Sequence, residues 1–532
     1  MHKSVRYILF LMPFFLLGWV GMSEAQTKQA KNRVSFPVVE TPAVFIGSVG
    51  ASDYVVFIDR SDEKSVYGRY LSMNEEIADT IPFRIVALRK RARLFYDGKK
   101  ETFRPKLDSA DETHVQGIAQ LSLFKKGEFD LRRYNAPEFQ KFDENRYNDS
   151  MFTVREITDI SYAKAKGFWT QLNNDAATFD KLSMLAQAVD ERQLDIHLDL
   201  FAPEGDTLMA HPLVMLIHGG GFYFGSKEDE AITQWCRHLA SQGYVAASID
   251  YRIGFLPTAA SIQRAGYRAV QDAHAAMRFL VAHQDEYDID TSLIFVGGCS
   301  AGAITAMNLA YMTNDSRPEY SYGGWARNDL GAIDTCGNAL RNDFSIKGIV
   351  DMWGAIPDTV MMRGCNIPIL AFHGDDDDIV PYDYDYPFRK AGVMRSALAE
   401  KMYGSSCIVD RAIKSGTQAQ LFTFYGYKHS PHLDSETRKL NDNFFVIQDA
   451  MDEFFYGIIA PEKPEIVETD KVFSVQPEPL KASWQVEGGV ILASNEKEVK
   501  VAWINNAPTR QITVSAVMPH GICFNETLVV GE

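Results

Sequence analysis

Ser300 stands in Gly298-Cys299-Ser300-Ala301-Gly302, with the run Leu293-Ile294-Phe295-Val296 before it and the small-residue stretch 303–310 after it. A strand, a Gly-x-Ser-x-Gly turn and a helix in that order push the serine hydroxyl out above a sheet edge, over the helix N-terminus. The flanking glycines are required because a Cβ at either position would clash in so tight a turn. The chemistry this suits is nucleophilic attack by the hydroxyl. Upstream, Leu213-Val214-Met215-Leu216-Ile217 runs into His218-Gly219-Gly220-Gly221-Phe222. Backbone N–H groups of a glycine loop at a strand end can point at a developing oxyanion, and glycine permits the close approach.

A serine hydroxyl needs a base, and the base needs an orienting carboxylate. On a strand–turn–helix scaffold of this kind the chain order is Ser, then Asp or Glu, then His. Two segments after Ser300 qualify. His373-Gly374-Asp375-Asp376-Asp377-Asp378 follows one apolar run, and Gly426-Tyr427-Lys428-His429-Ser430-Pro431-His432 follows another. Four adjacent carboxylates cannot all be buried as charges, so most must face water. Residue chemistry alone leaves Asp375, Asp376, Asp377 and Asp378 open, and likewise His429 and His432. The aspartate run lacks the ordered ligand spacing of a calcium loop. The chemistry calls for no metal and no cofactor.

These residues need strands and helices to hold them. Apolar runs at 194–201, 213–217, 244–249, 293–296, 346–352, 367–372 and 421–425 alternate with helical patterns, among them 233–242 and 265–283. Continuous apolar strands separated by helices predict a mostly parallel sheet with helices on both faces. Such sheets bind ligands at the carboxyl ends of their strands, where every motif above falls. Phe222, Tyr223, Phe224, Tyr251, Met352, Trp353 and Tyr382 adjoin strand ends and are expected to line the substrate pocket. The Gly- and Asn-rich stretch 311–344 is expected to form a cap over it.

The chain has 532 residues, 46% of them hydrophobic, and a net charge of −16. That is enough apolar material for several cores, and the negative charge argues against a nucleic-acid partner. Residues 1–25 read as a signal peptide: a basic start, an apolar run and the small-x-small site Ser23-Glu24-Ala25. The mature protein is therefore expected to be exported (periplasmic, cell-surface or secreted), with no transmembrane segment after cleavage. Strand-like runs with turn signals, including Asp97-Gly98, predict an N-terminal β domain over 36–130. The polar stretch 131–150 reads as a linker, 155–460 as the catalytic domain, and 465–532 as a C-terminal β-sandwich reached through a Pro-rich linker over 461–479. Of six cysteines, Cys299 reads as a buried small residue, and Cys336 and Cys365 are candidates to pair.

The segment 157–457 resembles the α/β-hydrolase superfamily, within it the carboxylesterase and hormone-sensitive-lipase-like branch. The likeness rests on His218-Gly219-Gly220-Gly221-Phe222, Asp250-Tyr251-Arg252, Gly298-Cys299-Ser300-Ala301-Gly302 and His373-Gly374 leading to Val380-Pro381. The resemblance implies an α/β-hydrolase fold, here flanked by small all-β domains at both ends of the chain. It places the triad aspartate on Asp377, the base on His429, and the oxyanion donors on the N–H groups of Gly220, Gly221 and Ala301. Cys299 departs from the acidic residue that relatives often carry before the serine. The tail, through Trp484, Gly488-Gly489 and Trp503, resembles immunoglobulin- or PKD-like modules of secreted Bacteroidetes-type enzymes. The function implied is a secreted serine carboxylesterase, acting on a small-molecule or glycan ester such as an acetyl or feruloyl carbohydrate. The alternatives are a surface binding or adhesion protein on a hydrolase-like scaffold, and a lipase or peptidase of the same fold.

Overall fold

The computed structural model describes residues 43–142, 146–167, 192–460 and 463–531, apart from 50–51, 63, 73–80, 89–91, 111–113, 123–124, 257, 325–327 and 505–506. The expected signal peptide lies outside the described residues. The described chain divides into two units, one of 1–142, 464–517 and 524–532, the other of 143–463 with 518–523.

Eight antiparallel strands, from β1 (Ala43–Val49) to β8 (Lys125–Arg133), close into a barrel in which β8 pairs back onto β1. Closure leaves no unpaired sheet edge. The turn Asp97-Gly98 joins β5 (Ala92–Tyr96) to β6 (Lys99–Ala110), and both of its residues have positive φ, 42° and 68°. That pair of torsions matches the twist of a two-residue hairpin. The linker expected from Leu131 starts later than the sequence suggests. Leu131, Arg132 and Arg133 are the last residues of β8, with Leu131 buried in the barrel. The polar composition that suggested a linker belongs to the residues after them.

The second unit is built on eight strands: β9 (Thr153–Gly167), β10 (Arg192–Glu204), β11 (His211–Ile217), β12 (Val245–Ile249), β13 (Ile289–Cys299), β14 (Ile346–Met352), β16 (Ile369–Gly374) and β19 (Ala419–Phe424). Their order across the sheet is β19-β16-β14-β13-β11-β12-β10-β9. β9 and β10 pair antiparallel, as do β10 and β12; all the other pairs are parallel. A separate small sheet holds β15 (Ala355–Ile356), β17 (Tyr384–Asp385) and β18 (Met402–Gly404). The central strands are apolar throughout because both faces are covered. Leu213, Met215 and Ile217 face one core with the Ala259–Ala282 and Ala301–Tyr311 helices. Val214 and Leu216 face the other with the Glu230–Gln242 and Asp442–Ile459 helices. The Glu230–Gln242 helix is bounded as its sequence dictates. Asp229 accepts from the N–H groups of Ala231 and Ile232, and Gly243 ends it at φ 113°.

The strand order reverses at β11: β12 returns to one side of it and β13 crosses to the other. A crevice therefore opens at the carboxyl ends of β11 and β13. Beside it, Arg252 and Asp272 form a buried pair. The guanidinium Nε donates to the carboxylate at 2.9 Å, and the Arg252 backbone N–H adds a bond of 2.7 Å. Arg252 also donates to the carbonyl of Lys166 on β9, at 2.8 Å. Its remaining nitrogen lies 3.3 Å from the Cys336 sulfur. Cys336 and Cys365, expected to pair, are both free thiols, and Cys336 instead packs against this cation.

The tail forms two antiparallel sheets: β20 (Glu465–Thr469), β21 (Val472–Gln476), β24 (Glu498–Trp503) and β23 (Gly489–Ser494) in one, and β22 (Lys481–Glu487), β25 (Gln511–Val517) and β26 (Cys523–Val529) in the other. Most of the expected Pro-rich linker is thus two strands of this sandwich. Phe473 and Val475 alternate inward on β21, and that period-2 signal outweighs the flanking prolines.

Removing Asp272 would strand the Arg252 guanidinium in the core. Asp272→Ala is expected to destabilise the second unit by about 3–5 kcal/mol. Scanning calorimetry should record a fall of on the order of 10 °C in its transition, and an unchanged transition would refute the buried-pair account.

Candidate active site

The loops after β11, β13, β16 and β19 converge on Ser300. Its torsions, φ 56° and ψ −117°, are rare for a residue with a side chain. Holding them costs on the order of 1–3 kcal/mol. The surroundings leave no alternative. A Cβ on Gly302 would strike the carbonyl oxygens of Ile217 and His218, and one on Gly298 would lie 2.6 Å from Ile217 O. The Ser300 N–H donates to Met352 O at 2.8 Å, and its carbonyl accepts from Ile304 N at 2.9 Å, starting the helix.

The Ser300 hydroxyl donates to His429 Nε2 at 2.8 Å, and His429 Nδ1–H donates to Asp377 Oδ2 at 2.7 Å. Asp377 Oδ1 accepts from the N–H groups of Ile379 (2.8 Å) and Val380 (3.1 Å). Burial pushes the Asp377 carboxyl up, but hydrogen bonds from His373 and His429 and their charge hold it well below the ordinary carboxylate range. The other three aspartates have separate partners. Asp375 accepts from the Gly426 N–H at 2.6 Å, Asp376 pairs with Arg389 and Asp378 with Lys390. Among the described residues, no group of three or more His, Cys, Asp or Glu is arranged to hold a metal ion.

His432, the competing histidine, is buried and stacked on Trp353, with ring centroids 4.7 Å apart. Burial, with the like charges of Arg438 and His429, pushes its pKa down to about 3. It is a neutral packing residue, three positions from the histidine that reaches Ser300.

The glycine loop after β11 is braced from below. The His218 ring stacks on Tyr251 at 4.4 Å, and Tyr251 donates its hydroxyl to His218 O at 3.0 Å. Gly220 and Gly221 have φ of 110° and 60°, and the Gly220 carbonyl is tied by the N–H groups of Tyr223 and Phe224. Ala301 is the first residue of its helix, so its N–H has no intrahelical acceptor. Ser300, Gly221 and Ala301 together border a cavity of about 740 Å³.

Of the aromatic residues expected to line that cavity, Phe222 does so. The rest do not. Tyr251 is wholly buried under the glycine loop, and Trp353 is wholly buried against His432. Tyr223 packs edge-on to Phe255, and Tyr382 exchanges a 2.8 Å hydrogen bond with Thr423. Met352 lies in the core beneath Cys299, and Phe224 is half exposed outside the cavity. Residues just past a strand end still alternate in direction, so proximity in sequence does not aim them at the site. The walls come instead from Ile262, Val270 and Ile304, from Met312 and Tyr320 of the 311–344 stretch, and from Phe388 of the segment after β17. The sequence signal for that last segment is only the length of chain between β16 and β19.

The strand order, the serine turn after β13, and Ser, Asp and His in that chain order are those of the α/β-hydrolase fold. Residues 198–367, about a third of the chain, match the family model BD-FAE. That span carries the glycine loop and Ser300 and ends before Asp377. The chain is 29% identical over 125 residues to Gut esterase 1 of Caenorhabditis elegans, covering 22% of each protein. It is 30% identical over 222 residues to Esterase LipC of Mycobacterium tuberculosis, covering 37% of this chain and 53% of that protein. The chain thus spans about a fifth to about half the length of these relatives. Among solved structures it is similar to a propionate-bound thermophilic esterase, Est2, of Thermogutta terrifontis. Identity is 19% and the TM-score 0.35, over 52% of this chain and 93% of that one.

The buried His432 makes a signed prediction. Its folded pKa, about 3, lies below the unfolded value of about 6.5. Its contribution to stability is complete above the unfolded value and is lost as pH falls from there toward the folded one. His432→Phe, which keeps the stack on Trp353, should flatten the loss of stability between about pH 6 and 4, by up to about 1.4 kcal/mol per pH unit. Denaturant titrations of both proteins at several pH values check this; parallel curves would count against it.

Proposed function

We propose that this chain is a serine carboxylesterase. The observation that carries the reading is the continuous chain Ser300–His429–Asp377, with contacts of 2.8 and 2.7 Å at the mouth of a large cavity. Ser300 Oγ attacks the ester carbonyl carbon while His429 Nε2 takes its proton, and Asp377 stabilises the resulting imidazolium. The N–H groups of Gly220, Gly221 and Ala301 receive the oxyanion, and a donor of this kind is worth about 3 kcal/mol. His429 then returns the proton to the leaving alcohol, and water, deprotonated by the same imidazole, releases the acid from the acyl-enzyme. Both Gut esterase 1 and Esterase LipC are esterases by name, which agrees with this reading.

The substrate we infer is an acylated carbohydrate. A mainly apolar cavity of about 740 Å³ is far larger than an acetyl group needs. It favours the feruloyl alternative, whose aromatic ring would meet Phe222, Val270 and Ile304. The N-terminal apolar run and cleavage site support export. The sandwich order β20-β21-β24-β23 against β22-β25-β26 supports an immunoglobulin-like module in the tail.

Hydrolysis of p-nitrophenyl acetate, butyrate and octanoate and of methyl ferulate tests the reading. Ser300→Ala should lower kcat by at least about a thousandfold. Ile304→Trp should reduce kcat/KM for octanoate and ferulate more than about tenfold while leaving acetate within about threefold. Activity equal in wild type and Ser300→Ala would sink the nucleophile assignment, and uniform loss across all esters would sink the cavity assignment.

A further inference from the structure

Behind the triad acid lies a second hydrogen-bonded set that the reaction scheme does not use. His373, on β16, lies three residues before Asp376 and four before Asp377, and is wholly buried. Its Nε2 lies 3.3 Å from Asp377 Oδ2 and 3.3 Å from the carbonyl oxygen of Val380. Its Nδ1 lies 2.7 Å from the hydroxyl of Ser405, which lies 2.7 Å from Asp351 Oδ2. Asp351 Oδ1 accepts from the Gly354 N–H at 2.9 Å. All three side chains are buried, and they come from three different elements: the end of β14, β16, and the helix after β18.

The donors and acceptors in this set constrain its protons. His373 Nε2 faces two acceptors, a carboxylate and a carbonyl, so it must carry a proton. At Nδ1 two arrangements satisfy every group. In one, Asp351 is ionised, Ser405 donates to it, and His373 is an imidazolium donating to Ser405. In the other, Asp351 is protonated and donates to Ser405, which donates to a neutral His373. They differ by moving two protons along the chain and have the same net charge of about zero, by the ordinary inventory of these groups. Burial, which raises the Asp351 carboxyl, favours the second. In both, the Nε2–H lies between two acceptors 3.3 Å away, Val380 O, to which it donates, and Asp377 Oδ2, which it faces.

We propose that His373, held by Ser405 and Asp351, is a positioning residue that shares Asp377 Oδ2 with His429 and limits how strongly Asp377 holds a proton on His429. Asp377 then has four N–H groups around it, two amides on Oδ1 and two imidazoles on Oδ2. Each additional donor disperses the carboxylate charge and weakens its pull on the imidazolium of the base. The other groups facing this set are accounted for. Tyr382 meets the His373 ring edge-on at 5.6 Å and bonds Thr423. Asp376 and Asp378 pair with Arg389 and Lys390. Ser300 and the buried His432 also lie near His429.

The proposal rests on the esterase reading and is tested by the pH dependence of kcat/KM, whose acid limb records protonation of the free enzyme's base. His373→Asn keeps an amide near Nδ1 but removes the donor to Asp377. His373→Gln can place an amide N–H near the Nε2 position. We expect His373→Asn to move the acid limb for p-nitrophenyl butyrate to higher pH by at least about half a unit, and His373→Gln to restore it. A folded His373→Asn with an unmoved limb overturns the proposal, as does a limb moved equally in both variants. Should circular dichroism show that His373→Asn is unfolded, the limb is read in His373→Leu, which removes the ring N–H facing Asp377; an unmoved limb there overturns it equally. Wild-type activity that survives Ser300→Ala would instead strike the esterase reading itself.

Discussion

The site depends on one backbone crossing. The turn 298–302 is pressed against the last residue of β11, with Gly298 paired in parallel register to Ile217. Any side chain at 298 or 302 would drive those strands apart, because the space is already filled by carbonyl oxygens. The same contact brings the glycine loop over the elbow: a Cβ on Gly219 would lie 3.1 Å from Cys299 O and 3.5 Å from the Ser300 side chain. Ser300 and the glycine loop are thus set by sheet pairing rather than by flexible loops. This is what lets Ser300 keep torsions that an isolated turn would relax.

The rest of the unit holds that crossing in place. The two cores press on opposite faces of β11 and β13, so neither strand can shift register without exposing a full set of apolar side chains. Met352 O, at the end of β14, takes the Ser300 N–H, and the next residue's N–H donates to Phe372 O on β16 at 2.6 Å. A line of backbone bonds therefore runs from the elbow through β14 to the strand that precedes Asp377. The loop carrying His429 is fixed from the same strand end, through the bond from Gly426 N–H to Asp375. Ser300, Asp377 and His429 sit far apart in sequence but share one rigid frame.

Much of this was legible in the residues. The apolar runs at 213–217, 293–296 and 346–352 lie within parallel strands, and the glycine-bounded serine lies at the turn its motif requires. The side-chain pocket was not legible. Tyr251 and Trp353 were expected at the cavity because both follow strands and are aromatic, yet both are wholly buried. The Tyr251 hydroxyl and ring brace His218, the Trp353 ring stacks on His432, and nothing in composition distinguishes a brace from a lining. Phe388 and Met361 reach the cavity from segments with no periodic pattern, whose path only the tertiary structure determines. The tail was half legible. The strands around Trp484 and Trp503 stood out, while the prolines near 461–479 masked two more.

The four aspartates mark the limit of composition and the reach of geometry. In sequence they are equivalent, and electrostatics says only that most must be solvated or paired. In the fold each has a different task. Asp375 anchors the loop carrying His429, Asp376 and the buried Asp378 pair with Arg389 and Lys390, and Asp377 is the one of the four bonded to His429. Their order follows from the turn itself. The Asp377 N–H donates to Gly374 O, and its side chain folds back to cap the N–H groups of Ile379 and Val380. A carboxylate two residues earlier or one later would lack those two amides. A buried charge without such donors would take up a proton rather than hold one on a neighbouring imidazole. The local turn, not the abundance of acid, selects the residue that faces His429.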